Sequence, residues 1–74
     1  MKKASEFKIN DCVSKTINFK RVEITKRKGC WNVSVLDTER LLTTCNYNFD
    51  KFKMALDFYY ELIDVQLEKL NFQF

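Results

Sequence analysis

Two hydrophobic periods divide this chain. Over residues 19–47 apolar and polar positions alternate, the mark of half-buried strands. In 19–26, Val22 and Ile24 fall on one side of an extended segment, with Arg21, Glu23, Thr25 and Arg27 on the other. Lys28-Gly29 breaks the alternation, and glycine's freedom at positive φ marks a tight turn. Residues 30–36 resume it, with Trp31, Val33 and Val35 against Asn32, Ser34 and Leu36. Asp37-Thr38-Glu39 reads as a second turn, and 40–47 as a third strand. There the rows Leu41/Thr43/Cys45 and Leu42/Thr44/Asn46 are similarly mixed, and the pattern leaves open which one faces the core. Together, 19–47 predict an antiparallel meander.

The period then changes to 3.6. Asn48 suits an N-cap, Asp50 suits the positive end of a helix, and no glycine or proline interrupts residues 51–70. The pattern predicts a helix over 49–70, with Phe52, Leu56, Tyr59, Ile63, Leu67 and Leu70 along one face. Asp57, Glu61, Asp64 and Glu68 form an acidic, solvated stripe elsewhere on it. Met54, Phe58, Leu62 and Val65 widen the apolar arc beyond what three strands should cover. These four residues are the expected interface of a homodimer through the helix, unless residues 1–18 cover them. Residues 1–6 read as a polar tail. In 7–18, Phe7, Ile9, Val13 and Ile17 suggest a short strand with a turn at Asn10-Asp11. Phe72 and Phe74 are expected to dock on the body, because unanchored ends are usually polar. The resulting fold class is α+β in a single domain: an antiparallel sheet of three to four strands packed on one long C-terminal helix.

Composition supports a packed core. Of 74 residues, 46% are apolar and 15% aromatic, too many for a disordered chain. Histidine is absent, which removes the commonest general base and the commonest metal ligand. Cys12, Cys30 and Cys45 are widely spaced with no CxxC pair, so no zinc site is expected and the thiols should be reduced, as in the cytoplasm. There is no Gly-rich phosphate loop and no converging set of carboxylates. No catalytic residue, metal or cofactor is therefore expected, and the chain reads as a non-enzyme. MKKASEF lacks the apolar run of a secretory signal, and no stretch approaches a membrane span, so no membrane partner is expected.

Charge is polarised. Residues 1–40 carry ten Lys/Arg against five Asp/Glu, a surplus of +5, whereas 41–74 carry three against five, or −2. If the helix covers the Val22/Ile24/Trp31/Val33/Val35 face, then Arg21, Arg27, Asn32 and Ser34 lie on the uncovered one. Lys26, Arg27 and Lys28 surround the turn, and Arg40 can join them. Guanidinium, ammonium, amide and hydroxyl groups donate to phosphates and can read base edges. The expected nucleic-acid-binding residues are thus Arg21, Lys26, Arg27, Lys28, Asn32, Ser34 and Arg40, with DNA or RNA as partner.

Residues 19–64 resemble the AP2-type DNA-binding domain and related amino-terminal modules of phage and transposon integrases. The likeness rests on Gly29-Cys30-Trp31 opening strand two and on Phe49-Asp50, Ala55 and Tyr59 in the helix. It implies that Arg21, Arg27, Asn32 and Ser34 face DNA. The glycine that the family places before the helix is replaced by Tyr47-Asn48, and Ser34 and Leu36 stand where a charged reader is usual. Two functions are expected from different classes. One is a small nucleic-acid-binding protein using its sheet. The other is a phage or mobile-element protein that binds and inhibits a host protein, suggested by the excess apolar surface.

Overall fold

The computed structural model describes residues 1–71. The expected docking of Phe72 and Phe74 lies outside these residues. A short 3-10 turn, Ala4–Glu6, precedes β1 (Cys12–Ile17), β2 (Lys20–Arg27), β3 (Cys30–Asp37), β4 (Leu42–Phe49) and α1 (Phe52–Asn71). The strands form one antiparallel sheet in the order β1-β2-β3-β4, and α1 packs across one face. The fold is α+β, as the alternation and its change of period anticipate.

The fourth strand comes from the segment with the weakest periodicity. β1 pairs Val13 with Ile24, Lys15 with Val22 and Ile17 with Lys20. Paired residues share a face, so Val13 and Ile17 point toward the helix. The strand does not include Phe7 or Ile9. Asn10 takes a positive φ of 74°, its N–H donates to the Lys26 carbonyl (2.7 Å), and the Lys26 N–H donates to the Asp11 carbonyl (3.0 Å). This reverses the chain and frees Phe7 to drop onto the core, where it is 3% exposed, while Ile9 is left in water.

Two hairpin turns obey different rules. Asn18 and Phe19 link β1 to β2, both at positive φ (48° and 66°), the geometry of a two-residue type I′ turn. Asparagine tolerates this; phenylalanine does so at a cost. The β2–β3 turn places only Gly29 at positive φ (81°). β4 contains a bulge: Val35 faces Cys45, but Leu36 faces Thr43, leaving Thr44 as the extra residue. Its hydroxyl donates to the Val35 carbonyl at 3.4 Å. The bulge switches parity, so Leu42, Cys45, Tyr47 and Phe49 share the helix side. Neither of the two simple rows of this strand is the core row.

The core is Val22, Ile24 and Val33, each fully covered, with Trp31, Val35, Ile17 and Phe7 around them. From α1 come Ala55, Tyr59 and Ile63, with Phe52, Leu56, Phe58, Leu62 and Leu70 partly buried. The buried stripe is rotated from the expected one: Gln66 is buried and Leu67 is exposed. Ala55 is fully covered, and its small side chain lets the helix approach the sheet along that line. The helix also begins later than expected. Phe49 stays in β4 opposite Trp31 and packs on Phe58 (5.4 Å between rings), so Asn48 is a strand residue and not an N-cap. Asp50 precedes the helix, whose first turn is closed by Ala55 N–H to the Lys51 carbonyl at 3.2 Å. Asp57, Glu61, Asp64 and Glu68 are all exposed on the far side.

Phe7, Trp31 and Phe52 form an aromatic cluster, with ring centres 5.1 Å apart for Phe7–Trp31, 5.7 Å for Phe7–Phe52 and 4.6 Å for Trp31–Phe52. Truncating a buried aromatic of this kind costs about 3–5 kcal/mol, against roughly 5–15 kcal/mol for a whole domain. Urea unfolding should therefore show Trp31→Ala less stable than the wild type by about 3–5 kcal/mol, a large share of the total. Phe19→Gly should act in the opposite direction. It relieves a left-handed backbone at an exposed site and should add about 1 kcal/mol, raising the melting temperature by about 4–8 °C.

Candidate nucleic-acid interface

The sheet face opposite α1 is built row by row from the strand registers. Nearest the β2–β3 turn stand Arg27 and Cys30; next come Cys12, Thr25, Asn32 and Asn48. Beyond them lie Ser14, Glu23, Ser34 and Asn46, and at the other end Thr16, Arg21, Leu36 and Thr43. This face is mostly hydroxyl and amide, with Arg21, Glu23 and Arg27 as its charges. Among the expected binding residues, Arg21, Arg27, Asn32 and Ser34 share it.

The others are dispersed. Lys26 is paired with Trp31 and lies on the helix side. Its ammonium sits 5.6 Å from the Trp31 ring centre and donates to the Phe7 carbonyl at 3.3 Å. Lys28 is at the hairpin tip and is exposed. Arg40 lies at the opposite end of the sheet, 3.9 Å from Asp37, with a side chain 78% exposed. Arg21 is also less available than expected: its Nε is 2.9 Å from Glu23 Oε1, one step along the same face.

Tertiary structure assembles a different basic cluster. The N-terminal segment folds back onto the β2–β3 tip, and Arg27 Nη1 donates to Asn10 Oδ1 at 2.9 Å. Lys2 lies 3.4 Å from Asp11 and 5.3 Å from the Phe7 ring centre. The Lys8 N–H donates to Asp11 at 3.0 Å. That backbone bond is the main reason the Asp11 carboxyl stays below its ordinary range, with Lys2 adding to it against desolvation. The end formed by residues 1–11 and 26–30 thus holds Lys2, Lys3, Lys8, Lys26, Arg27 and Lys28 against Glu6 and Asp11. At the other end, Lys20, Arg21 and Arg40 are matched by Asp37, Glu39 and Glu23.

Beside the basic end lies an asparagine cluster. Asn32 Nδ2 donates to Asn46 Oδ1, to Asn48 Oδ1 (2.9 Å) and to the Tyr47 carbonyl (3.3 Å). Asn46 and Asn48 spend their oxygens on Asn32, which leaves their amide N–H groups as the donors this face presents. Asn46, Asn48, Lys2, Lys3 and Lys8 were not anticipated. The Asn-x-Asn spacing at 46 and 48 was a legible sign of a shared strand face. Nothing in the local pattern brought the lysine-bearing N-terminal segment, through Asn10, against Arg27.

The cysteines stand apart: Cys12 is exposed, Cys30 and Cys45 are half-buried, and burial pushes the Cys45 thiol up. Burial, with Tyr60 beside it, likewise raises the Tyr59 phenol. Among the described residues there is no group of three or more His, Cys, Asp or Glu suited to a metal ion, and no pocket. No described helix is long and apolar enough to cross a membrane. No family model, curated protein or solved structure matches the chain.

Asp37 organises the balanced end. It is 5% exposed, and its Oδ2 accepts from Lys20 Nζ at 2.7 Å. Its Oδ1 accepts from the N–H groups of Glu39 (3.0 Å) and Arg40 (3.1 Å). The Lys20 bond first, then the Arg40 and Glu39 N–H groups, hold its pKa at about 2, below the usual 3.8, despite desolvation. A folded-state pKa below the unfolded one means that the unfolded chain takes up the proton more readily. The contribution is complete above about pH 5 and is lost as pH falls through 4 toward 2. Melting curves from pH 6 to 2 should therefore fall less steeply for Asp37→Asn than for the wild type within that window.

Proposed function

We propose that the protein is a small non-enzymatic nucleic-acid-binding module, with DNA or RNA gripped at the basic end and touched by the adjacent amide face. The observation that carries this reading is the pinning of Asn10 and Asp11 to Lys26 and Arg27, which brings the lysine-bearing N-terminal segment to the β2–β3 end of the sheet, whose open face continues into Asn32, Asn46 and Asn48. Six cations against two acids give that end a net charge of +4. The acidic stripe of α1 faces away from the open sheet, so the molecule has an electrical polarity suited to a polyanion. Lysine and arginine supply phosphate contacts, which position without reading sequence. The Asn46 and Asn48 amides can donate to base acceptors or sugar oxygens. The resemblance to AP2-type domains supports use of the open face and puts Asn32 and Ser34 toward the ligand. In this arrangement Asn32 serves chiefly to hold Asn46 and Asn48.

The competing reading is a protein that binds and inhibits a host protein in the cytoplasm, as a phage or mobile element would use. Its support is the exposure of Leu41, Leu42, Tyr47 and Met54 on one flank.

Fluorescence anisotropy with labelled duplex DNA, single-stranded DNA and RNA across a salt series separates the two. Four phosphate contacts on duplex DNA predict a log–log salt slope of about −3.6. Arg27→Ala with Lys28→Ala should flatten that slope by about 1.8. Asn46→Ala should change preference among sequences while leaving the slope intact, because an amide carries no charge. Circular dichroism should show all these variants folded, since the altered side chains are largely exposed. Absence of binding to every probe at low salt would reject the module and leave the inhibitor.

A further inference from the structure

β4 is one margin of the sheet, and its outer backbone edge has no neighbouring strand among the described residues. Natural edges are usually guarded by charge, proline or short length. The other margin, β1, carries Lys15 near its middle. β4 has eight residues, and positions 41–49 contain neither a charge nor a proline. On its helix side the strand is flanked by Leu42 (55% exposed), Tyr47 (55%), Met54 (57%) and Val65 (37%). Phe58 stacks edge-on against Tyr47 at 5.3 Å, which joins strand and helix into one apolar flank. The uncharged stretch is bracketed by Glu39-Arg40 before it and Asp50-Lys51 after it, with Arg40 and Asp50 as the charges next to it. The Arg40 backbone is bonded to Asp37, but its guanidinium is held only loosely there, at 3.9 Å.

We propose that the β4 edge pairs with the β4 edge of a second copy of this chain. The pairing is antiparallel about a two-fold axis and joins two four-stranded sheets into one of eight strands. The bracketing charges select both the occupant and the direction. An antiparallel pair centred on Cys45 sets each Arg40 against the partner's Asp50 and each Glu39 against the partner's Lys51, twice by symmetry. A parallel pair would set Arg40 against Arg40 and Asp50 against Asp50. Pairing satisfies the open backbone groups of the edge and brings the Leu42, Tyr47, Met54 and Val65 flanks of the two copies together. This assembly stands independently of nucleic-acid binding.

Sedimentation velocity on the full chain, from micromolar to millimolar concentration, should show a monomer passing to a dimer and no further. Arg40→Glu and Asp50→Arg should each weaken the dimer about tenfold, since each disturbs two ion pairs, and the double variant should restore it. Leu42→Lys should weaken it at least as much while the circular dichroism spectrum is unchanged. Hydrogen exchange of the β4 amides should slow with rising concentration. A chain that remains monomeric at millimolar concentration overturns the proposal and leaves the edge to a strand of some other protein. A dimer indifferent to Leu42→Lys and to both charge reversals also overturns it, as do open-ended oligomers.

Discussion

Three separate pieces of this chain meet at the indole of Trp31. Phe7 approaches it edge-on from the N-terminal segment, Phe52 packs on it from the first turn of the helix, and Lys26 lies over it from the neighbouring strand. A small domain buries a limited share of its surface, so a few large rings carry much of its stability. Here they also set geometry. Phe7 can reach the indole only if the chain turns at Asn10, and that turn lets residues 10 and 11 exchange backbone hydrogen bonds with Lys26. The position of the N-terminal lysines is thus a consequence of hydrophobic packing.

The two ends of the sheet are stabilised by different physics. At the Trp31 end, aromatic contact holds together a surface with surplus positive charge. At the other end, Asp37 gathers Lys20 and the N–H groups of Glu39 and Arg40, and Thr38 ties that turn to the Phe19 carbonyl through N–H (2.8 Å) and hydroxyl (3.0 Å). Opposite charges are spent on each other there. Surplus positive charge accordingly gathers at one end, beside an amide cluster whose own oxygens are occupied internally. In the proposed role, this division separates a surface that grips phosphate from a part that keeps the sheet in register.

The meander over 19–47, the inward row Val22/Ile24/Trp31/Val33/Val35 and the long C-terminal helix were legible in the sequence. They rest on local periodicity, and a strand or helix must turn its apolar period toward a core. The solvated acidic stripe was legible for the same reason. So was the open-face position of Arg21, Arg27, Asn32 and Ser34, which comes from the period of two once the covered face is known.

The features that the sequence did not determine depend on partners distant along the chain. Whether β4 would keep one face depended on a bulge at Thr44, and the strand's mixed Leu/Thr/Asn composition contains no sign of it. Asn48 had a helix-cap signature, but cross-strand pairing opposite Asn32 and the packing of Phe49 outweighed a preference of the order of 1 kcal/mol. Lys26 had the look of a binding residue until its pairing with Trp31 placed it on the covered side. Lys2 and Lys3 had the look of a tail, and Lys8 that of a short strand, until Phe7 was drawn into the core. Local pattern determines which way a side chain points along its own element. Which elements meet, and so which charges lie side by side, is decided by long-range burial of a few large rings, because only the assembled core makes that burial available.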